Sequence, residues 1–347
     1  MHENVVSVRD VWKIFGRSGT ELVDRIKNEG LTKDEVRERY GCVVGVSAAS
    51  FDVRKGEIFC IMGLSGSGKS TLIRHINRLL EPTAGKIFIN GEDITALSEP
   101  ELRRLRARRI GMVFQNIALL PHRTVRDNVA LPLEVQGMKR SKRFEVAEES
   151  LRLVNLVGWE DKFAHELSGG MQQRVGLARA MAADPDILLM DEPFSALDPL
   201  IRRQLQDQFM ELASRMHKTT IFITHDLDEA IRIGHRIAIM KDGVIVQTGT
   251  PEEIVTNPID AYVADFVAGI SKLKLIYARS IMRPFEASSY PDINMDACPR
   301  ANESDTLSRL IDISVESSHP LLILSDDSSI SGIISKDDLL RGIQGGK

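Results

Sequence analysis

The 347-residue sequence predicts an α/β protein whose core is a mainly parallel β-sheet. Strand-like and helix-like patterns alternate from about Val43 to Gly249, as in chains that wind helices onto such a sheet. The apolar runs EIFCIM, DILLM and TTIFIT lack polar alternation, which indicates strands covered on both faces. Two segments interrupt this rhythm. One is the charged, helix-prone stretch 21–41; the other, 116–167, is interpreted as an inserted helical subdomain that reaches to about residue 175.

The pattern changes near Gly269. Residues 271–304 carry three prolines and little periodicity, as expected of a linker or a degraded structural unit. A predicted helix (TLSRLIDISVESS), two strands (PLLILS and ISGIIS) and a final helix (KDDLLRGI) follow. We therefore predict two domains, residues 1–270 and a small α+β appendage, residues 271–347.

Composition and charge exclude several classes of protein. The 45 Lys and Arg residues against 49 Asp and Glu give a net charge of −4, with no general attraction to nucleic acid or anionic lipid. The basic run 103–109 has no interleaved aromatics and is interpreted as a solvated helix face. No apolar stretch is long enough to span a membrane, and the N-terminus does not resemble a signal peptide. Because Cys42, Cys60 and Cys298 form no CxxC pair, a reducing cytosol is expected.

The string GLSGSGKST has the composition of a phosphate-binding loop between a strand and a helix. Its glycines allow backbone N–H groups to surround phosphates at the positive end of a helix dipole. Lys69 is predicted to reach the β- and γ-phosphates of a nucleotide, and the Ser70 hydroxyl to ligate Mg²⁺. The apolar residues that continue with helical spacing are Leu72, Ile73, Ile76, Leu79 and Leu80. The candidate ATP-binding residues of this loop are Gly63, Leu64, Ser65, Gly66, Ser67, Gly68, Lys69, Ser70 and Thr71.

Two adjacent carboxylates follow the apolar run ILLM. Asp191 would end a strand at the carboxyl edge of the sheet, where ligands bind in such folds, and hold Mg²⁺ through water. Glu192 would orient and deprotonate the attacking water. An Asp-Glu-Pro string that only ends a strand is the alternative, and the upstream phosphate loop favours the catalytic interpretation.

The string LSGGMQQR precedes a helical pattern, so Ser168, Gly169 and Gly170 would lie at a helix N-terminus. Serine and glycine are also ordinary capping residues there. Such a helix end offers N–H groups to a phosphate. Because the chain already has a phosphate loop for its own ATP, a second anion site is useful if it serves ATP bound by another subunit.

Three further residues are weak signals when taken alone. His225 follows the run TTIFIT, Gln115 ends a predicted strand IGMVFQ, and Phe15 lies in an early apolar segment. Isolated residues of these types are more often structural.

Together these motifs resemble the ABC transporter ATPases over about residues 5–270. The resemblance implies that Gln115 lies in the Q-loop, the segment 195–198 in the D-loop and His225 in the H-loop, and that Phe15 stacks on adenine. It adds Phe15, Gln115 and Asp198 to the candidate ATP-binding residues, alongside Ser168, Gly169 and Gly170. The implied catalytic pair is Glu192 and His225, and the implied magnesium ligands, acting through ATP and water, are Ser70, Gln115 and Asp191.

The same resemblance implies a homodimer in which each subunit supplies a phosphate loop to one ATP and a signature serine to the other. His225 would contact the γ-phosphate, and Gln115 would relay the nucleotide state to a membrane subunit. Two transmembrane permease subunits and an extracytoplasmic substrate-binding protein are implied as partners, with no nucleic acid. The chain would then lie peripherally on the cytoplasmic face of the plasma (inner) membrane.

A finer resemblance is to the ATPases of quaternary-amine importers, which take up glycine betaine, proline betaine or choline. The charged insertion and the strings MVFQNIALLPHRTVRDNV and MDEPFSALDPLIR carry it. That group commonly has C-terminal CBS repeats, and residues 319–343 resemble the end of one repeat. Only one copy is recognisable, so a CBS-like regulatory unit is expected without a predicted ligand. Ser335 and Asp338 match a ribose-contacting pair, although a helix-capping box has the same spacing.

Three alternatives remain at this level. The chain could serve an importer for another solute, such as an amino acid. It could be a non-transport ABC ATPase of DNA repair or translation, although it lacks a long coiled coil and a basic surface. It could also be a nucleotide sensor with slow hydrolysis.

Overall fold

The structure is a computed structural model that describes residues 3–16, 19–285, 295, 297–325, 327 and 329–344. Its strands are β1 (Asn4–Phe15), β2 (Val43–Arg54), β3 (Ile58–Met62), β4 (Ala84–Ile89), β5 (Glu92–Asp93), β6 (Ile110–Val113), β7 (Ile187–Asp191), β8 (Thr219–Thr224), β9 (Arg236–Lys241), β10 (Val244–Gly249), β11 (Arg283–Pro284), β12 (Arg300–Asn302), β13 (Leu321–Leu324) and β14 (Ile330–Ile334).

Its α-helices are α1 (Thr20–Glu29), α2 (Lys33–Tyr40), α3 (Lys69–Ile76), α4 (Glu99–Arg109), α5 (Val125–Val135), α6 (Arg140–Leu153), α7 (Gly169–Ala182), α8 (Pro199–Met216), α9 (Leu227–Ile233), α10 (Pro251–Thr256), α11 (Ala261–Val267), α12 (Ala278–Ile281), α13 (Leu307–Val315) and α14 (Lys336–Gln344). Short 3₁₀ helices cover Ala164–Glu166 and Lys272–Lys274.

The chain divides into two compact units, residues 1–248 and 249–347. Helices α10 and α11 therefore fall in the second unit, and the domain boundary near residue 270 stays a prediction. None of the helices in the described ranges is both long and apolar enough to cross a bilayer.

The first unit is built on a six-stranded sheet in the order β10-β9-β3-β8-β7-β6. Strand β3 pairs in parallel with β8 and β9, and β7 pairs in parallel with β6 and β8. Every residue of β3, β7 and β8 is buried, as the unbroken apolar runs predict. This register brings the ends of β3 and β7, Met62 and Asp191, to one edge of the sheet.

A second sheet, in the order β2-β1-β4-β5, was not predicted. Its paired strands run antiparallel, so the prediction of one mainly parallel sheet covers only part of the unit. The pairing of Val6 with Ile89 joins distant parts of the chain, which local sequence patterns do not encode.

Helix α3 is anchored by Leu72, Ile73 and Ile76, whose side chains are fully buried. Burial of one such side chain contributes about 1.5–3 kcal/mol. The helical spacing predicted to continue through Leu80 is wrong beyond Ile76. Arg78 adopts a left-handed backbone (φ 52°) there, and its guanidinium donates to the carbonyls of residues 94 and 97.

The predicted helical subdomain contains α5, α6 and α7, which pack on one another. Buried Asn128 at its base accepts from the backbone N–H of Leu120 and donates to the carbonyl oxygens of Leu120, Arg123 and Thr124. The amide thereby fixes the loop that enters α5.

The charged stretch 21–41 folds into α1 and α2, as its helix-prone composition indicates. A small core surrounds these helices and is formed by Trp12, Ile14, Leu22, Val23, Ile26, Val36, Cys42 and Val44. The N-terminus of α2 is fixed by a reciprocal capping box between Thr32 and Glu35.

The second unit contains a four-stranded sheet in the order β11-β14-β13-β12. Strands β12 and β13 are parallel, whereas β13 and β14 are antiparallel. Its α+β composition agrees with the predicted helix, two strands and final helix, and the likeness to a CBS repeat stays a prediction. Ser335 and Asp338 form a reciprocal capping box at the start of α14, which confirms the capping interpretation of their spacing.

Candidate nucleotide-binding site

The phosphate loop joins the end of β3 to the start of α3. Gly63, Gly66 and Gly68 all have positive φ, at 155°, 80° and 101°. A Cβ atom at Gly63 would lie 2.1 Å from the Met240 carbonyl oxygen, so a larger residue would collide with the backbone. The loop therefore requires glycine to keep its N–H groups on the inside of the curve.

Lys69 begins α3 and is almost completely buried, with 4% exposure. Its Nζ donates to the carbonyl oxygens of Gly63, at 2.9 Å, and Leu64, at 3.0 Å. Burial lowers the pKa of the ammonium, and the nearby carboxylates of Glu192 and Asp191 act in the opposite direction. The cation is thus held inside the loop by two backbone carbonyl oxygens.

Asp191 ends β7 beside the loop and is 1% exposed. Its Oδ1 accepts a hydrogen bond of 2.7 Å from the Ser70 hydroxyl, and Arg74 lies 3.7 Å from its other oxygen. Burial raises the pKa of this carboxyl group, while the hydrogen bond from Ser70 lowers it. Hydroxyl and carboxylate oxygens are the ligands that Mg²⁺ prefers, so the pair fits the predicted magnesium site.

Three side chains converge on the carboxylate of Glu192. Gln115 Nε2 donates to its Oε2 at 3.3 Å, and His225 Nδ1 lies 3.0 Å from the same oxygen. Lys69 Nζ lies 3.9 Å from Oε1. The Glu192 backbone has a strained φ of 46° and its N–H donates to the Ile223 carbonyl, which fixes the direction of the side chain.

Gln115 lies two residues beyond β6, not at its end, because the strand stops at Val113. The predicted strand IGMVFQ is therefore too long. The segment after Gln115 is tied to α7, since buried Arg179 donates to the carbonyls of Ile117 and Ala118 at 2.7 and 2.8 Å.

Phe15 ends β1 with 41% exposure, and Lys13 Nζ lies 5.3 Å from its ring centroid. A Cβ atom at Gly45 would lie 2.6 Å from the ring, so this glycine allows the close approach of β2. The ring is partly exposed and lines the cavity, where an aromatic side chain can stack on a planar base.

These residues surround one open cavity of about 740 Å³ in the first unit. The predicted site residues that line it are Phe15, Leu64, Ser65, Gly66, Gly68, Lys69, Ser70, Thr71, Gln115, Glu192 and His225. Its dimensions and its phosphate loop suit a nucleotide. The predicted residues Gly63, Ser67 and Asp191 adjoin the lining through the loop and the Ser70 contact.

The family model described as ABC transporter matches residues 46–195. The glycine betaine transport ATP-binding protein OpuAA of Bacillus subtilis is 54% identical over 295 residues, which cover 85% of this chain and 69% of that protein. This chain belongs to the ATP-binding proteins of ABC transporters. As a member of that family it is an ATPase and binds ATP.

Two further comparisons concern the extent of the likeness. The trimethylamine N-oxide transport system ATP-binding protein TmoW of Ruegeria pomeroyi is 46% identical over 340 residues, covering 98% of this chain and 97% of that protein. A dimeric structure of the ATP-binding cassette MJ0796, in a post-hydrolysis state with ADP and Pi, superposes with a TM-score of 0.61. It is 31% identical, and the match covers 71% of this chain and 98% of that one.

Besides Gly63 and Ser67, four predicted ATP-binding residues of this ABC protein do not line the cavity: Ser168, Gly169, Gly170 and Asp198. Ser168 is the N-cap of α7 and its hydroxyl accepts from the N–H of Met171 at 3.4 Å. Ser168, Gly169 and Asp198 are exposed. Their role in binding ATP stays a prediction that needs a second subunit.

One part of the cavity wall was not predicted from the sequence. Helix α2 contributes Lys33, Asp34 and Arg37 to the lining. At the level of sequence, the charged stretch 21–41 supports only the resemblance to the ATPases of quaternary-amine importers. The available signal for a binding role is the spacing of Lys33 and Arg37, which puts two cations on one face of a helix.

Proposed function

We propose that this chain is the energy-coupling ATPase of an importer for quaternary-amine osmoprotectants, such as glycine betaine, proline betaine or choline. The observation that carries the proposal is the carboxylate of Glu192, which lies among Gln115, His225 and Lys69 at the mouth of the phosphate loop. A carboxylate held there can accept the proton of an attacking water as it approaches the γ-phosphate.

Magnesium would be held by the Ser70 hydroxyl, with Asp191 acting through water and Gln115 contributing its amide oxygen. When bound, the ion would neutralise charge on the β- and γ-phosphates. Lys69 would leave the Gly63 and Leu64 carbonyls and donate to the same phosphates. Phe15 would hold the adenine ring at the opposite end of the cleft.

We propose that two copies of the chain close around ATP. The exposed N-terminus of α7 supports this arrangement, because the backbone N–H groups of its first turn can face the γ-phosphate of nucleotide held by a partner. The tie from Arg179 to the segment after Gln115 would make α7 follow any movement of that segment. Two permease subunits and an extracytoplasmic binding protein would complete the importer at the cytoplasmic face of the membrane.

The class of solute is inferred from the similar proteins reported above. The betaine protein of Bacillus subtilis is the more identical of the two and supports glycine betaine as the first candidate. The trimethylamine N-oxide protein supports that solute as the second, because its likeness runs through nearly the whole of both chains, including residues 249–347. Both solutes are small methylated amines without net charge.

Uptake tests the proposal directly. Cells that lack this chain would be complemented with the wild type, with Glu192→Gln, or with Glu211→Gln, whose exposed carboxylate pairs with Arg215 on α8. Labelled glycine betaine, choline and trimethylamine N-oxide would be supplied at low and high osmolarity. The proposal predicts loss of betaine or choline uptake with Glu192→Gln and normal uptake with Glu211→Gln. Loss restricted to trimethylamine N-oxide would select the second candidate, and unchanged uptake of all three would overturn both.

We also propose that residues 271–347 form a CBS-like regulatory unit. Asp338, which Arg283 contacts at 3.0 Å, lines a cavity of about 410 Å³ with Ser318, His319 and Ser335. The ATPase rate of Asp338→Ala would be compared over a range of KCl concentrations with those of the wild type and of Asp312→Ala, an exposed residue that does not line this cavity. A flattened salt profile for Asp338→Ala alone supports regulation through this unit, and three superimposable profiles would contradict it.

A further inference from the structure

Helix α2 is held rigidly beside the nucleotide cleft. Val36 is completely buried in the small core that α1 and α2 share with Trp12 and Val44. The capping box of Thr32 and Glu35 fixes the first turn of α2. The insertion is therefore a preorganised wall of the cleft and not a loose surface loop.

Lys33 and Arg37 lie one helical turn apart and both line the cavity of the phosphate loop. Neither cation forms an ion pair with any carboxylate in the described part of the chain. Arg39 on the same helix differs, because it pairs with Glu35 at 3.4 Å and does not line the cavity. Asp34 also lines the cavity and Asp242 lies near Lys33, but neither carboxylate forms an ion pair with Lys33 or Arg37 in the described part of the chain. Both cations can therefore contact an anionic ligand.

The contacts around Lys33 show which part of the cleft it faces. A Cβ atom at Gly243 would lie 3.3 Å from Lys33 Nζ and 2.9 Å from the Gly45 carbonyl oxygen. The Gly243 N–H donates to the carbonyl of Ser67 in the phosphate loop at 2.8 Å. Lys33 thus lies close to the backbone of Gly243, which is hydrogen-bonded to the phosphate loop.

Gly45 lies beside the same region of the cleft as Lys33 and Gly243. A Cβ atom on it would lie 2.6 Å from the Phe15 ring and 3.6 Å from the Thr71 methyl group. Phe15 is the expected platform for the base, and Thr71 follows Lys69 and Ser70 on α3. The region beside Gly45 is therefore between the base and the terminal phosphates.

We propose that Lys33 and Arg37 form a cationic clamp on the sugar end of the bound nucleotide, contacting its α-phosphate and ribose. The clamp belongs to the insertion and acts in addition to the phosphate loop. Burial lowers the pKa of Lys33 and the nearby Asp242 opposes this shift, and a phosphate bound beside Lys33 would likewise favour its charged form. This inference rests on the proposed nucleotide site.

Equilibrium binding to the full-length chain tests the clamp. Titration calorimetry in a Glu192→Gln background, which prevents turnover, would measure Kd for ATP, ADP and pyrophosphate. Lys33→Ala and Arg37→Ala are each expected to weaken ATP and ADP by about three- to tenfold. Pyrophosphate, which has no sugar end, is expected to bind within about twofold of the parent. The conservative variants Lys33→Arg and Arg37→Lys should recover most of the nucleotide affinity.

Two controls distinguish loss of the clamp contacts from loss of the whole nucleotide site and from misfolding. Arg39→Ala removes a cation from the same helix and should leave Kd unchanged. Unaltered tryptophan fluorescence in the Lys33 and Arg37 variants would show that the core around Trp12 is intact. Lys69→Ala should abolish ATP binding. If it does so while the Lys33 and Arg37 variants bind normally, the clamp is wrong and the site stands. If Lys69→Ala binds ATP normally, the site itself is wrong. Equal weakening of pyrophosphate and ATP would also overturn the clamp.

Discussion

The Ser70 hydroxyl donates a hydrogen bond of 2.7 Å to Asp191, so the end of the phosphate loop and the end of β7 meet through two oxygen atoms. The two residues lie 121 positions apart in the chain. Their meeting follows from the parallel sheet, in which β8 lies between β3 and β7 and brings the carboxyl ends of all three strands to one edge.

Asp191→Asn should raise the Mg²⁺ concentration needed for half-maximal hydrolysis by about 10- to 100-fold, as loss of a residue that orients metal ligands does. The amide keeps the shape of the carboxylate and removes its charge. Titration of the ATPase rate with MgCl₂ measures the effect. Asp186→Asn, an exposed substitution just before β7, is the matched control. An unchanged Mg²⁺ requirement in Asp191→Asn would remove this residue from the metal site.

Glu192→Gln should lower the ATPase rate by about 10²–10⁴, the usual contribution of a general base, while ATP binding is retained. Glutamine can keep the contacts to Gln115 and His225 and cannot take a proton from water. The measurement is single-turnover hydrolysis alongside ATP affinity. Glu211→Gln should hydrolyse ATP at the wild-type rate, and a similarly active Glu192→Gln would mean that another group acts as the base.

Mixing two inactive variants tests whether Ser168 acts on the partner's nucleotide. Lys69→Ala removes the cation of the phosphate loop, and Ser168→Arg blocks the N-terminus of α7 with a larger side chain. A mixed dimer retains one site with both parts intact, so the mixture should hydrolyse ATP although neither variant does so alone. Ser168→Arg mixed with the double variant Lys69→Ala/Ser168→Arg contains no intact site and should stay inactive. Equal rates in the two mixtures would contradict a shared site.

The residues of the phosphate loop and the Asp191–Glu192 pair could be predicted because each motif is continuous and its conformation is local. Glycines at 63, 66 and 68 are needed for positive φ, and a buried apolar strand must end before Asp191. The convergence of Gln115 and His225 on Glu192 could not be predicted from spacing, because the first contact spans 77 residues and depends on the order of strands. Family resemblance was needed to select these two residues.

The role of α2 escaped prediction for a different reason. Charged residues on a short helix indicate a solvent-exposed surface. Helix α2 lies between β1 and β2 in the chain, and the pairing of Phe15 with Val43 brings the ends of this segment together at the cavity. The antiparallel sheet that makes this possible depends on contacts between β1 and β4, for which the sequence has no local signal. Long-range strand pairing thus explains why neither the antiparallel sheet nor the position of α2 beside the cavity was predicted.

His75 should make the first unit less stable in acid. Its side chain is completely buried, Nδ1 lies 2.6 Å from the Leu80 carbonyl oxygen, and Nε2 has no hydrogen-bond partner in the described part of the chain. Nδ1 therefore carries the proton, and protonation of Nε2 would place an unpaired charge in the core. Burial lowers the pKa of His75 from 6.5 to about 4.

Because the unfolded chain binds this proton at higher pH than the folded chain, stability falls as pH decreases from 6.5 to about 4. The shift corresponds to a loss of about 3 kcal/mol in the free energy of unfolding over that interval. Urea unfolding followed by tryptophan fluorescence reports on this unit, since Trp12 and Trp159 both lie in residues 1–248.

His75→Asn keeps a donor near the Leu80 carbonyl and cannot titrate, so its stability should fall less steeply between pH 6.5 and pH 4 than that of the wild type. His122→Asn removes an exposed histidine from the same unit and should keep the wild-type pH dependence. Parallel curves for wild type and His75→Asn would show that the acid sensitivity arises from other groups. If the free energy of unfolding depends less on pH in His75→Asn alone, the acid sensitivity is assigned to this buried imidazole, whose neutral form the core around α3 requires.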